Sequence, residues 1–495
     1  MKKWLGVIVA ILVLAVIGML GATYWSGAQA ERWYEEALVE GSKSGNVKLS
    51  TVRYQRGLFS SQAVTRVDVA KPPEGGDSTI SDPSFSIRQD IYHGPLPLAG
   101  REATGIPVQW AGAVVRATLD LDSSAWTREL AKWYGSQEPV VAILKIAFDG
   151  ASDTQITMPP LALKDIEEVQ SLLFSGLQGQ FRVAAHSAAV QGNLTVASLE
   201  AVGKSAAASE QIKLKDLTMT INQHKGAFDL LFGESSFKVG ELRAQDPATG
   251  APFIVTNLSM TGSLSQQNPQ QVAGEVLLKA DRMTVDQQSG TGSLRLALHN
   301  LDGSTIEQLQ QWQQKVSNNP DDPQALNELL KAVKALLHGK PELILDTQAN
   351  LTQGDWQGQL TLNFQDFEHI DFLQDPSSLL AALEKGSAEV VASKKLVETV
   401  LADTIGEELQ AQAEGQDQSV SEEALQSMAA IQANQQLQEL AAAGFIRLEG
   451  DHYKTTARFE GGKLFVNDQE IPLMPPIDGG DHALEGEIPT EPARP

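Results

Sequence analysis

Apolar and polar residues alternate in short segments along most of this chain, and that two-residue period is the pattern of half-buried β-strands. Val47, Leu49 and Thr51 alternate with polar neighbours, Arg56-Gly57-Leu58-Phe59 interrupts, and Ala63, Thr65, Val67 and Val69 resume the alternation. This predicts a hairpin. Similar segments recur at 114–121, 140–148, 181–189, 194–202, 212–221 and 228–242, and again at 253–264, 272–285, 293–298, 343–351 and 356–364. Turn residues such as Gln191-Gly192-Asn193 and Gln288-Ser289-Gly290 punctuate them. Short connections favour antiparallel meanders over alternating parallel units. The expected fold is α+β, mainly β: an N-terminal transmembrane helix, then a large, elongated antiparallel-sheet body with interspersed helices.

The helices have their own signals. Trp126, Leu130, Trp133 and Tyr134 share one helical face, and Gly135 ends that helix. Ser304 and Glu307 have capping-box spacing ahead of Ile306, Leu309 and Val316; Asp322-Pro323 then starts a second helix that ends at Gly339. Together they predict a helical hairpin over 303–340. Beyond Phe372 the composition shifts to alanine, glutamine and glutamate. Asp375-Pro376 starts a short helix ending at Gly386, Leu396 to Leu409 form a helical stripe, and Ser419 with Glu422 caps another helix. Along that last helix the apolar positions spread too widely for a strict heptad seam, which leaves a homodimer open without requiring one.

The segment from Trp4 to Trp25 follows Lys2-Lys3 and holds 22 uncharged residues. As a helix it would extend about 33 Å, enough for a hydrocarbon layer of about 30 Å. It predicts a membrane anchor, with Trp4, Leu5, Leu12, Leu14 and Leu20 in the span and Tyr24 and Trp25 at the outer interface. Lysines precede it while Glu31, Glu35 and Glu36 follow, so the N-terminus is expected in the cytoplasm and the body in the periplasm. Ala28-Gln29-Ala30 also matches a signal-peptidase site, and cleavage there is the rival reading. The expected organisation is then the anchor at 1–25, a membrane-proximal helix or linker at 26–45 and a strand-rich body at 46–302. After the hairpin come strands at 341–372, a helical region at 373–444, closing strands at 445–474 and a disordered acidic tail at 475–495.

Composition narrows the chemistry. A formal charge of −24 disfavours nucleic acid as a partner, and the absence of cysteine excludes disulfides, thiolate metal sites and cysteine nucleophiles. The histidines, among them His93, His186, His224 and His299, show no metal-ligand spacing. Carboxylate groups such as Asp120 with Asp122, or Asp366, Glu368 and Asp371, read as solvated surface. No phosphate-cradling glycine loop is present, and Gly233-Glu234-Ser235-Ser236-Phe237 departs from a nucleophile elbow at its last position. No enzyme activity, metal or cofactor is expected.

Three segments resemble the YdgA-like family: Val52-Arg53-Tyr54-Gln55-Arg56-Gly57-Leu58-Phe59-Ser60-Ser61, Leu336-Leu337-His338-Gly339-Lys340-Pro341-Glu342, and Ala457-Arg458-Phe459-Glu460-Gly461-Gly462-Lys463-Leu464-Phe465-Val466-Asn467. The family's usual glycine after that asparagine is Asp468 here. The resemblance implies an inner-membrane-anchored bacterial envelope protein of undefined molecular function, and it supplies no catalytic residues.

Two readings of function follow. The first is a tethered structural or interaction protein of the envelope, with Arg56, Gly57, Leu58 and Phe59 as a candidate interaction loop. The second is a carrier of lipid or another apolar ligand along a hydrophobic sheet groove, motivated by the two-sided apolar run Val140 to Phe148. A periplasmic hydrolase is the third and weakest, since it needs a cleft where a nucleophile meets a base. The general plan also looks like that of AsmA-like envelope proteins.

Overall fold

The computed structural model describes residues 24–42, 47–69, 83–166, 169–204, 211–245, 252–285, 288–318, 325–366, 381–415 and 421–472. The predicted span, except Tyr24 and Trp25, lies outside the described residues. So do the acidic tail, the Asp375-Pro376 helix start and Ser419. Among the described residues, no helix is long and apolar enough to cross a membrane.

The body is one antiparallel sheet. Its first strands are β1 (Val47–Arg56), β2 (Ser60–Val69), β3 (Phe85–His93), β4 (Ala113–Asp120), β5 (Val141–Ile146), β6 (Ser152–Met158), β7 (Leu161–Ile166), β8 (Val169–Phe174) and β9 (Leu177–Val183). Six long strands follow: β10 (Ala189–Gly203), β11 (Gln211–Lys225), β12 (Leu231–Gln245), β13 (Pro252–Gln266), β14 (Gln271–Val285) and β15 (Gln288–Asp302). The sheet closes with β16 (Glu342–Leu351), β17 (Gly354–Phe364), β18 (Leu383–Ser393), β19 (Arg447–Glu449), β20 (His452–Glu460), β21 (Lys463–Val466) and β22 (Gln469–Ile471). Neighbours in sequence are mostly neighbours in space. There are two exceptions: the β7–β8 hairpin steps aside so that β9 pairs with β6, with β10 pairing β9 along one half and β8 along the other, and β18 pairs with β20 past the short β19.

The long strands keep their apolar residues on one face by a local device. Asp216 and Asn257 adopt left-handed φ of 53° and 50° inside β11 and β13, and β14 shifts register between Ala280 and Met283. An irregular residue of this kind advances side-chain alternation by one, as a bulge does. The apolar pattern changes phase at the same points, from Ile212 and Leu214 to Leu217, Met219 and Ile221 in β11, and from Phe253 and Val255 to Leu258 and Met260 in β13. The Asn257 amide donates to Asp281 at 3.0 Å, joining two of these kinks.

Helix α1 (24–42) lies across the start of the sheet. Ser26, Gly27, Ala30, Trp33 and Tyr34 recur at helical spacing, and Ala30 packs with Ala63, Ile91, Ala113 and Val115. Helices α2 (Gly100–Thr104) and α3 (Ala125–Tyr134) are short, and Gly135 ends α3 as expected. The hairpin of α4 (Gly303–Asn318) and α5 (Ala325–His338) sets Ile306 and Leu336 against Leu230, Phe232, Val272 and Leu301. A second hairpin, α6 (Lys394–Gly415) and α7 (Glu422–Ala442), packs Ile405 against Ala429 and Ala433.

Several expectations are corrected. Gln191-Gly192-Asn193 is not a turn but the interior of β10, where Gly192 leaves room for the Phe181 ring on the neighbouring strand. The strand expected over 181–189 stops at Val183, because His186 and Ser187 take left-handed φ in a one-turn 3₁₀ segment. Residues 227–229 likewise form a turn before β12. Gly386 does not end a helix; it sits in β18, which interrupts the helical region expected at 373–444. The cap of α4 is Asp302, whose carboxylate accepts from the Thr305 N–H at 2.8 Å, rather than Ser304. Ser421 caps α7 by accepting from Ala424. Asp468 and Asn467 both take positive φ in the last hairpin, where Asn467 accepts from the Thr456 N–H and donates to the Gly444 carbonyl.

At the far end of the sheet, the Asp355 carboxylate lies 3.0 Å from His452 Nε2 and raises the imidazole above its ordinary value, with Asp451 adding to the effect at Nδ1. A raised folded value means stabilisation present below the unfolded value of about 6.5 and lost as pH climbs through the folded one. Asp355→Asn is therefore expected to lower the urea midpoint more at about pH 6 than at about pH 9, read by circular dichroism. Asn257→Val places a β-branched residue at positive φ and should cost about 1–2 kcal/mol in the same assay.

Candidate functional site

Residues directly opposite each other in antiparallel strands share a face of the sheet. One such row starts at Ser61 and passes through Ile91, Val115, Leu144, Thr154, Phe181, Gly192 and Ile221. It continues through Ser235, Gly262, Val276, Leu296, Leu345, Leu360, Ala388, Ala457 and Val466. The row thus takes one residue from every strand between β2 and β21 except β7, β8 and β19. At about 4.8 Å per strand it runs about 75 Å along the sheet. It contains no Asp, Glu, Lys or Arg.

The rows on either side repeat the pattern. One carries Ile156, Leu194, Met219, Phe237, Met260, Leu278 and Leu294 in register. The other carries Leu264, Leu298, Leu343, Leu362, Phe459, Leu464 and Ile471, with Gly274 and Gly386 between them. Charge collects on the opposite face, where Arg295 bridges Glu275 at 2.8 Å and Asp346 at 3.0 Å across three strands. The hydrogen bond from Arg295, with the Arg295 charge, holds the Glu275 carboxyl below its ordinary value. One broad apolar track therefore spans the body.

The track is roofed at its start and along one margin. Helix α1 covers Ile91 and Val115, and the α4–α5 hairpin covers Leu264 and Leu298. Between these roofs the side chains stay half-exposed: Met219 and Met260 are each 47 % exposed and Val276 is 44 % exposed. Among the described residues, a Cβ placed on Gly262 would meet no atom within 4 Å. Large contiguous apolar surfaces are uncommon on soluble proteins and are found most often at interaction sites.

One family model covers nearly the whole chain. The model of DUF945, bacterial protein of unknown function, matches residues 1–474. The chain belongs to this family. No curated protein and no solved structure matches it.

The candidate loop of this family member is the β1–β2 turn. The Gly57 N–H donates to the Ser60 carbonyl at 2.9 Å, and Leu58 and Phe59 project outward instead of burying. Arg56 pairs with Glu31 at 3.0 Å and stacks over the Tyr24 ring at 5.2 Å, so the turn is fastened to the first residues of α1. Trp25 is exposed beside it; Trp4, Leu5, Leu12, Leu14 and Leu20 lie outside the described residues. The apolar run at 140–148 is half-buried and two-sided: Leu144 and Ile146 face α1, Ile143 lines a cleft of about 570 Å³ with Ile106 and Pro107 on the charged face, and Phe148 is exposed. The sequence motif that suggested a groove is thus not where the open track lies. Its signal was present in the uncharged alternate residues of β11 to β15, but the lateral alignment of those residues was not.

One serine does meet a base. Ser61 Oγ lies 3.1 Å from His93 Nε2, yet both residues are buried, and Gly27 sits so close to the imidazole that even a Cβ would reach Cε1 at 2.7 Å. Among the described residues no cluster of His, Asp and Glu could hold a metal ion.

The two parts of the track should respond differently to charge. Val115→Asp buries a carboxylate under α1 and is expected to cost about 3 kcal/mol or more, whereas Val276→Asp, on the open part, should stay within about 1 kcal/mol. Urea unfolding of the two variants measures the contrast.

Proposed function

We propose that this chain is a non-enzymatic envelope protein that holds the apolar chains of lipids against the uncharged face of its sheet. In this reading Trp4 to Trp25 tether it to the bacterial inner membrane with its body in the periplasm. The observation that carries the proposal is the uncharged track, which begins under α1, directly after the predicted span, and stays half-exposed across β11 to β15. A methylene chain needs no hydrogen-bond partners and gains about 0.8 kcal/mol per methylene buried. About ten half-covered methylenes would therefore contribute on the order of 4 kcal/mol. A scaffold reading has no comparable feature to explain why charge is absent from so long a surface.

Retention of the anchor is favoured by the packing of α1. A cut after Ala30 would remove Tyr24, on which Arg56 stacks, and Gly27, which backs His93. The YdgA-like segments, Val52 to Ser61 and Ala457 to Asn467, point to the same envelope placement within the wider family. They form the β1–β2 hairpin and the β20–β21 hairpin, at opposite ends of the sheet.

Purified full-length protein, extracted with organic solvent and analysed by mass spectrometry, is expected to yield stoichiometric phospholipid or fatty acid. The Val276→Asp, Leu296→Asp double variant should lose most of it while keeping its far-ultraviolet circular dichroism. Wild-type protein that is folded yet lipid-free would return the scaffold reading to first place.

A further inference from the structure

Three connections lie at the end of the sheet where α1 begins, two of them against its first turns and the third against Trp33 in its middle. The β1–β2 turn reaches it through Arg56, whose guanidinium donates to the Tyr24 hydroxyl at 3.3 Å. The long β3–β4 loop is joined to that turn where the His93 N–H donates to the Phe59 carbonyl at 3.1 Å, and its own ends are tied by the Gly94 N–H to the Gly112 carbonyl. The β5–β6 turn arrives under Trp33, which packs against both Gly112 and Gly150. These contacts hold three loop tips at the one end of the sheet where α1 starts.

The tips are apolar and exposed. Trp110 is 71 % exposed, Leu98 61 % and Tyr24 60 %, with Trp25, Leu58 and Phe59 about as open. Between His93 and Arg116 the chain carries only one basic and one acidic residue, Arg101 and Glu102. Aromatic and aliphatic side chains gathered at one end of a body, beside a membrane span, match the bilayer interface, where amphipathic rings are favoured. We propose that this collar of loop tips, with Phe59, Leu98 and Trp110 at its rim, seats the body in the interfacial layer of the phospholipid bilayer that holds the anchor.

The collar does two things for the molecule. It sets α1 and the strand ends it covers against the membrane, so the track starts at the lipid surface rather than hanging from a flexible tether. It also gives Arg56 a role distinct from recognition, since its bonds to Tyr24 and Glu31 fix the turn relative to the emerging helix. The inference rests on the tethered reading but not on lipid being held by the track.

The absence of native cysteine makes the test direct. Single-cysteine variants Phe59→Cys, Leu98→Cys and Trp110→Cys of the full chain carry a nitroxide and are reconstituted in phosphatidylethanolamine–phosphatidylglycerol vesicles. Leu12→Cys reports the span, and Ile431→Cys, on the exposed side of α7, reports water. The collar predicts a ratio of oxygen to nickel-chelate relaxation several-fold higher at 59, 98 and 110 than at 431. If 12 reads as lipid while the three tips read as water, the collar is overturned and the tether stands. If 12 also reads as water, the tether fails and the collar with it. Tips shielded from both reagents would mean that a protein partner or a second copy covers them, which also overturns the membrane assignment.

Discussion

Antiparallel pairing places directly opposed residues on one face of the sheet, and every larger feature of this protein depends on that constraint. A strand with apolar residues at alternate positions is unremarkable by itself. When Met219, Phe237, Met260, Leu278 and Leu294 are brought into register across five adjacent strands, the same alternation becomes a surface. A slip of one residue in any strand would turn its apolar side chains to the charged face and interrupt the track. Ion pairs such as Arg295 with Glu275 and Asp346 favour the same register from the other side.

An apolar face of this length is costly in water, and the chain covers it unevenly. The dense packing lies where helices meet the sheet, around Ala30, Ile91 and Val115 and around Leu230, Phe232 and Val272. Between them, among the described residues, the sheet has one layer where globular domains commonly have two or three. That openness is the physical basis of the proposal that the surface takes a ligand, and α1 lies over the start of that surface.

The hairpin around Arg56-Gly57-Leu58-Phe59 was readable because glycine and an interrupted alternation are local signals. The helices at 303–338 were readable for the same reason, through period and proline. The interior of β10 was misread at Gly192 because a glycine that makes room for the Phe181 ring looks, in one dimension, like a glycine that makes a turn. The strand β18 was missed because its glycine and charged residues resemble a helix end until β17 and β20 flank it. The candidate site divides likewise: the exposed turn was legible, whereas the run at 140–148 belongs to the roofed start of the track rather than to its open part.

Sequence alone determined that this chain is mainly antiparallel sheet and that residues 4–25 form an uncharged segment long enough to span a bilayer. Each of these follows from local period, local charge and local composition. Only the tertiary structure decided which alternate residues line up, which are roofed by α1 and the α4–α5 hairpin, and which remain open. Register is set by hydrogen bonds and packing between segments far apart in sequence, and no local pattern encodes which partner a strand will meet.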